Sequence, residues 1–180
     1  MTSREQYAPG AASGADVQKD GDNWTLVLVR ELRHPPARVW EALTDPDHLR
    51  EWAPFDSDRS LGAVGTAKLT TVGAPTPHVT ETRITRADPP RALEFNWGGQ
   101  DIRWELEPLN SGTRLTLWHN IDRRYISMGA AGWHICFDVL ERFLAGDSIG
   151  RIVGADAMTC AGFQRLHAEY AAQFGQGRSQ

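Results

Sequence analysis

The sequence predicts an α+β fold: a curved antiparallel sheet wrapped around one long C-terminal helix, with two short helices after the first strand. Two observations predict it. Between residues 64 and 121, β-rich segments follow one another with turn signals and no helical period between them, the pattern of an antiparallel meander. From residue 127 to 145 the apolar residues recur at helical spacing instead. A sheet with one apolar face has to be covered, and this helix is the available cover.

In chain order, residues 1–22 are rich in Gly, Ala, Ser and Asp without a hydrophobic period, and read as a flexible tail. The run WTLVLVRELR over 24–33 is β-rich and stops at His34-Pro35-Pro36. Pro36 suits a first helical turn, Val39, Trp40 and Leu43 follow at helical spacing, and Thr44-Asp45-Pro46 ends the segment. Residues 47–52 read as a second short helix, with Leu49 and Trp52 on one side. Val39, Trp40, Leu43 and Trp52 are expected to close one end of the fold. A short strand is a weaker reading of 56–61.

The meander consists of 64–72, 78–86, 91–97, 101–107 and 113–121, divided by Gly73 to Pro77, Asp88-Pro89-Pro90, Gly98-Gly99 and Asn110-Ser111-Gly112. In the long helix, Trp133, Cys136, Phe137, Leu140, Phe143 and Leu144 share a face, with His134, Asp138, Glu141 and Arg142 mostly opposite. A last helix fits 158–174, where Phe163, Leu166, Tyr170 and Phe174 align. The expected division is a tail over 1–22, a domain over 23–146 and a C-terminal extension over 147–180 whose helix packs on the domain.

Composition excludes several classes of function. With 41% hydrophobic and 23% charged residues, the chain is not wholly disordered. A net charge of −4 offers no basic surface to nucleic acid or anionic lipid. No run approaches the roughly 18 apolar residues of a membrane span, and the N-terminus has no apolar signal core. Two cysteines, Cys136 and Cys160, read as reduced thiols of a cytoplasmic protein. The six histidines form neither HxH nor HExxH and the cysteines lack CxxC spacing, so no metal is expected. Neither a phosphate-cradling glycine loop nor Gly-x-Ser-x-Gly occurs, so no cofactor is expected.

Several motifs carry a family resemblance. The segment from His34 through Arg38-Val39-Trp40-Glu41-Ala42-Leu43-Thr44-Asp45-Pro46 resembles the APPERVWRALTDPE opening of activator-of-heat-shock-protein-90-ATPase-homologue-like proteins, and Leu49 with Trp52 continues it. Val79-Thr80-Glu81, Asp88-Pro89-Pro90, Leu93 to Trp97, Gly112 to Leu117 with His119, and Gly132 to Cys136 are similar to later motifs of that branch. The branch belongs to the START/Bet v 1-like (SRPBCC) superfamily, whose architecture is the helix-grip fold. The resemblance implies that fold, and one of three activities. Members bind apolar ligands between sheet and helix, act as co-chaperone or stress-response interaction proteins, or, among distant relatives, work as aromatases or cyclases.

Hairpin arithmetic then places side chains. Simple turns set Trp97 opposite Ile102, Phe95 opposite Trp104 and Leu93 opposite Leu106. The next hairpin sets Leu106, Trp104 and Ile102 opposite Leu115, Leu117 and His119. The Asp88-Pro89 turn sets Ile84, Thr82 and Thr80 opposite Leu93, Phe95 and Trp97. By period-two alternation these all share the covered face, while Glu94, Asn96, Arg103, Glu105, Arg114, Thr116 and Asn120 face outward. The covered face thus grades from plain core to aromatic to aromatic with polar groups, as a ligand cavity with an orienting end would; a packed core is the other reading. The candidate ligand-binding residues are Thr80, Thr82, Phe95, Trp97, Ile102, Trp104, Leu117, His119, Trp133 and Phe137, and the ligand a small hydrophobic or aromatic molecule. His119 is the one candidate catalytic residue, for a lyase or cyclase reading, against a satisfied core histidine. Arg123, Arg124 and Tyr125 are placed at a cavity mouth or in a solvated loop, and His78 near the mouth or in a solvated turn. Outward Trp118 marks a contact with the C-terminal helix or a homodimer mate, or is covered within the chain.

Overall fold

The computed structural model describes residues 2–175. The chain opens with α1 (Ser3–Gln6), β1 (Ala15–Asp20), β2 (Asn23–Leu32), α2 (Pro36–Thr44) and α3 (Pro46–Trp52). Strands β3 (Phe55–Ser57), β4 (Gly65–Thr71), β5 (His78–Ile84), β6 (Arg86–Asp88), β7 (Ala92–Trp97), β8 (Gln100–Leu109) and β9 (Gly112–Asn120) follow. The long helix α4 (Ile126–Leu144) and the shorter α5 (Ala155–Thr159) and α6 (Phe163–Gln173) end it. Six strands form one sheet in the order β1-β2-β9-β8-β7-β6, and β3-β4-β5 form a second; every paired neighbour is antiparallel. This is the helix-grip arrangement, with α4 packed on the aromatic face of the sheet: Trp104 meets Trp133 at 5.6 Å and Phe137 at 6.0 Å between ring centroids. No helix among the described residues is long and apolar enough to cross a membrane.

The β8–β9 register is the expected one, with Ile102 opposite His119, Trp104 opposite Leu117 and Leu106 opposite Leu115. The β7–β8 register is displaced by one pleat: Trp97 pairs with Gln100, Phe95 with Ile102 and Leu93 with Trp104. Gly98 and Gly99, at φ +59° and +87°, make a two-residue turn rather than the longer one assumed. A slip of two residues keeps every side chain on its own face. Strand β5 departs further from expectation, because its ladder is with β4 and it does not face β7 residue for residue. Instead Thr82 Oγ1 accepts from the Asn96 amide at 3.1 Å, and β6 completes the edge by setting Ala87 opposite Leu93.

The N-terminal segment corrects the reading as a flexible tail. β1 pairs along its whole length with β2, from Ala15 opposite Leu28 to Asp20 opposite Asn23, and so occupies what would be an open sheet edge. Its stabilisation comes from backbone hydrogen bonds, which composition does not reveal. Tyr7 is buried, and its hydroxyl donates to Asp138 Oδ2 at 2.5 Å. Tyr7 therefore covers the polar side of α4. His134 on that side is buried as well, 2.7 Å through Nδ1 from the Tyr170 hydroxyl of α6. The single helix expected over 158–174 is α5 and α6, broken at Gly162, where φ is +87°.

Val39, Leu43 and Trp52 close one end of the grip as expected, and Trp52 is the anchor. It is fully buried, its indole N–H donates to the Ala42 carbonyl at 2.9 Å, and its ring stands edge-on to Trp104. Trp40 is only partly buried. Replacing Trp52 with Ala is expected to cost about 3–5 kcal/mol, and Trp40→Ala about 1 kcal/mol, read from urea unfolding midpoints. Equal losses would contradict this ranking.

Candidate functional site

Helix α4 carries two glycines in its first half, Gly129 and Gly132, and each costs helix stability relative to alanine. Their position explains them. Gly129 lets α4 pass Ile121, whose Cδ1 would lie 2.7 Å from an added Cβ. A Cβ at Gly132 would meet nothing within 4 Å, because it would project into a cavity of about 430 Å3. The sheet supplies one wall through Trp97, Gln100 and His119, and α4 the second through Met128, Trp133 and Cys136.

The third wall is the strap between α4 and α6, through Val153, Gly154, Ala157 and Met158. Arg151 pins the strap: its guanidinium donates to the Arg50 carbonyl at 2.7 Å and pairs with Asp56. Next to it the strap meets the β4–β5 loop backbone to backbone. The Ala155 amide donates to the Gly73 carbonyl at 3.1 Å, and a Cβ at Gly154 would fall 2.2 Å from that same oxygen. Tyr125 and Met158 frame the mouth, each about half exposed at 51% and 50%.

Apart from the Tyr125 hydroxyl at the mouth, the polar side chains of the cavity form one hydrogen-bonded chain. Trp133 Nε1 donates to His119 Nδ1 at 2.9 Å, and His119 Nε2 lies 2.7 Å from Gln100 Oε1. Trp97 packs tilted against the imidazole at 5.7 Å and donates its own N–H to Thr71 Oγ1 at 2.8 Å. Burial drives the His119 pKa down to about 3, so the ring is neutral. Burial likewise pushes the Cys136 thiol up to about 12, leaving it a protonated, unreactive part of the wall. No charged side chain lines the cavity among the described residues.

Of the ten candidate residues, the fold brings Trp97, His119 and Trp133 together around the cavity. Phe95, Ile102, Trp104, Leu117 and Phe137 lie in the packed core instead. Trp104 is surrounded by Trp52, Trp133 and Phe137, and Phe95 stands edge-on to Phe55. Thr82 is used in bonding β7, and Thr80 Oγ1 is buried without a hydrogen-bond partner. His78 is exposed at the start of β5, outside the cavity lining.

The loop after β9 divides. Tyr125 reaches the mouth, whereas Arg124 binds Asp122 through two nitrogens at 3.1 Å and Arg123 lies over the Trp24 ring. Outward Trp118 is covered within the chain by the Arg103 guanidinium, 4.7 Å from its ring. Among the lining residues that sequence reasoning missed are Gln100, Gly129, Gly132 and the strap. The glycine pair inside a helix was the available signal. Glu41, Asp45 and His48 bring ligand atoms within 4.8 Å of one another, but at the α2–α3 junction and not in the cavity lining.

A family model described as Activator of Hsp90 ATPase homolog 1-like protein matches residues 33–145. No curated protein matches the chain in sequence. Among solved structures, the chain is similar to the conserved protein of unknown function EF2215 from Enterococcus faecalis, with TM-score 0.69, 15% identity and 92% of each chain covered. It is also similar to CalU16 from Micromonospora echinospora, with TM-score 0.63, 22% identity, 96% of this chain and 100% of that one covered. An AHSA1-like protein from Aeromonas hydrophila aligns at TM-score 0.56 and 17% identity, over 68% of this chain and 92% of its own. At these identities the likenesses establish the fold.

The neutral imidazole has a consequence for stability. Above the ordinary histidine value of 6.5, folded and unfolded chains both hold His119 uncharged. Below it the unfolded chain takes up a proton that the folded chain refuses until about pH 3, so stability is lost as pH falls through this window. The slope from this group is about 1.4 kcal/mol per pH unit, and His134, whose pKa burial also lowers, adds to it. In urea unfolding between roughly pH 6 and 4, His119→Gln is expected to flatten the pH dependence by about that slope. An unchanged slope would show that the ring is protonated in the folded state.

Proposed function

The chain belongs to the Activator of Hsp90 ATPase homolog 1-like family, and from that premise we propose that it is a binding protein for a small, uncharged apolar or aromatic molecule. The observation that carries the reading is the cavity between sheet, α4 and strap. At about 430 Å3 it is large enough for a small organic ligand, within the range of about 300–1,000 Å3 usual for such sites. Its walls are apolar apart from one short hydrogen-bonded chain and the Tyr125 hydroxyl at the mouth, so burying an apolar ligand gains about 25 cal/mol per Å2 while desolvating few polar groups. A charged ligand would find no counter-charge in the lining.

This observation favours the proposal over its two rivals. A co-chaperone-like interaction protein needs no internal space, and a closed core would have favoured it. A lyase or cyclase working through His119 needs a ring nitrogen free to move a proton. Here both nitrogens are engaged by Trp133 and Gln100, and no carboxylate lines the cavity among the described residues.

The test fills the cavity without disturbing the fold. Gly132→Leu adds a side chain where the wall is open and replaces a poor helix former with a good one. Pyrene, a neutral apolar probe without a hydrogen-bonding group, is expected to bind the native protein and quench the emission of Trp97 and Trp133. Gly132→Leu should weaken that binding at least about tenfold with an unchanged or higher melting temperature. Equal binding by both proteins would place the probe elsewhere and remove the basis of the proposal.

A further inference from the structure

The polar chain fixes which hydrogen-bonding group of Gln100 is left without a protein partner. The indole N–H of Trp133 can only donate, so His119 Nδ1 has to accept and carries no hydrogen. A neutral imidazole then carries its hydrogen on Nε2. The Gln100 atom 2.7 Å from that N–H must be the acceptor, Oε1. The amide is thereby oriented, with its NH2 group left over. No described residue accepts from Gln100 Nε2, and Gln100 belongs to the cavity wall. The donor-only indole at one end therefore sets the polarity at the other, through a tautomer and an amide orientation.

Resting on the reading of the cavity as a ligand site, we infer that it selects neutral aromatic molecules bearing a hydrogen-bond acceptor, such as an aryl ketone, whose carbonyl oxygen takes the Gln100 amide hydrogens. An acceptor-bearing ligand satisfies a donor that is otherwise left without a protein partner. A donor-bearing ligand of the same shape meets N–H with N–H. The Trp133–His119 pair acts through Gln100 and positions it; Gln100 is the residue that determines specificity.

Three tricyclic probes of nearly one shape test this by equilibrium dialysis: fluorene, with no hydrogen-bonding group; 9-fluorenone, with an acceptor only; and carbazole, with a donor only. Fluorenone is expected to bind the native protein about three- to tenfold more tightly than either of the others. Gln100→Glu keeps the size of the side chain and an acceptor for the imidazole, but leaves a second acceptor in place of the NH2. It is expected to invert the order, with carbazole ahead of fluorenone. Gln100→Met should bring the three probes together, and provides the answer should the glutamate variant fold poorly. The change in the fluorenone-to-carbazole ratio between variants is the decisive quantity, because the intrinsic difference in solubility cancels from it. Equal binding of fluorenone and carbazole by the native protein, or a preference that survives in Gln100→Met, would overturn the inference while fluorene binding still upheld a ligand cavity. Failure of all three probes to bind would overturn the cavity reading and this inference together.

Discussion

Helix α4 is enclosed on both sides, and an enclosed helix must find a partner for every polar group it carries. Its aromatic side lies on the sheet. Its other side bears His134 and Asp138, which the N-terminal segment, β2 and α6 cover. Asp138 accepts from the Tyr7 hydroxyl and, at 2.7 Å, from Arg30 of β2, which also reaches Glu141 at 3.0 Å. Tyr170 of α6 lies against His134 and donates to the Ser13 carbonyl at 3.1 Å. The N-terminal segment, sheet and C-terminal helix thus meet around one carboxylate and one imidazole. Removing a partner from a largely buried charge leaves it uncompensated, which costs more than the intact pair contributes. The segments outside the sheet-and-helix unit consequently complete its interior.

This anchoring also explains how a cavity survives. The second half of α4 is held by Phe137, Leu140 and Leu144 on one side and by Asp138 on the other. The first half is therefore free of the need to fill all the space against the sheet, and glycine at 129 and 132 does not loosen the helix. One half of the same helix supplies stability and the other supplies room. Water in that room would find few polar partners, because the lining offers little beyond the Gln100 amide and the Tyr125 hydroxyl at the mouth.

Much of this arrangement was legible in the sequence, for reasons that also mark where legibility ended. Alternation put Trp97, Trp104 and His119 on the covered face, and an error of one pleat at Gly98-Gly99 did no harm because parity survives a two-residue slip. Helical spacing found α2, α3 and α4 to within a residue or two. The division between core and cavity was not legible, since Trp97 and Trp104 both face inward and both meet Trp133, at 6.1 and 5.6 Å between ring centroids. What opens the space beside them is Gly132, whose contribution is an absent side chain. The strap depends on a backbone contact between Gly73 and Gly154, far apart in sequence and without a local pattern. β1 was invisible because an edge strand held by backbone bonds needs no hydrophobic signature.

The strap is bounded differently on its two sides. On one side Arg151 ties it to α3 and β3 through the Leu49 and Arg50 carbonyls and Asp56, and the close approach of Gly154 to Gly73 leaves no gap beside those bonds. On the other side the boundary is Tyr125 and Met158, half exposed, with no side-chain hydrogen bond between them or to any described residue. Separating the first boundary breaks charge-assisted hydrogen bonds, which are among the stronger contacts a surface makes. Separating the second requires only rotation of two side chains, a motion of picoseconds to nanoseconds for exposed residues. Of the two boundaries, the one at Tyr125 and Met158 is therefore the less firmly held, and the one at Arg151 is pinned. A thioether and a phenol there present an apolar surface with one polar tip, in keeping with the apolar walls behind them.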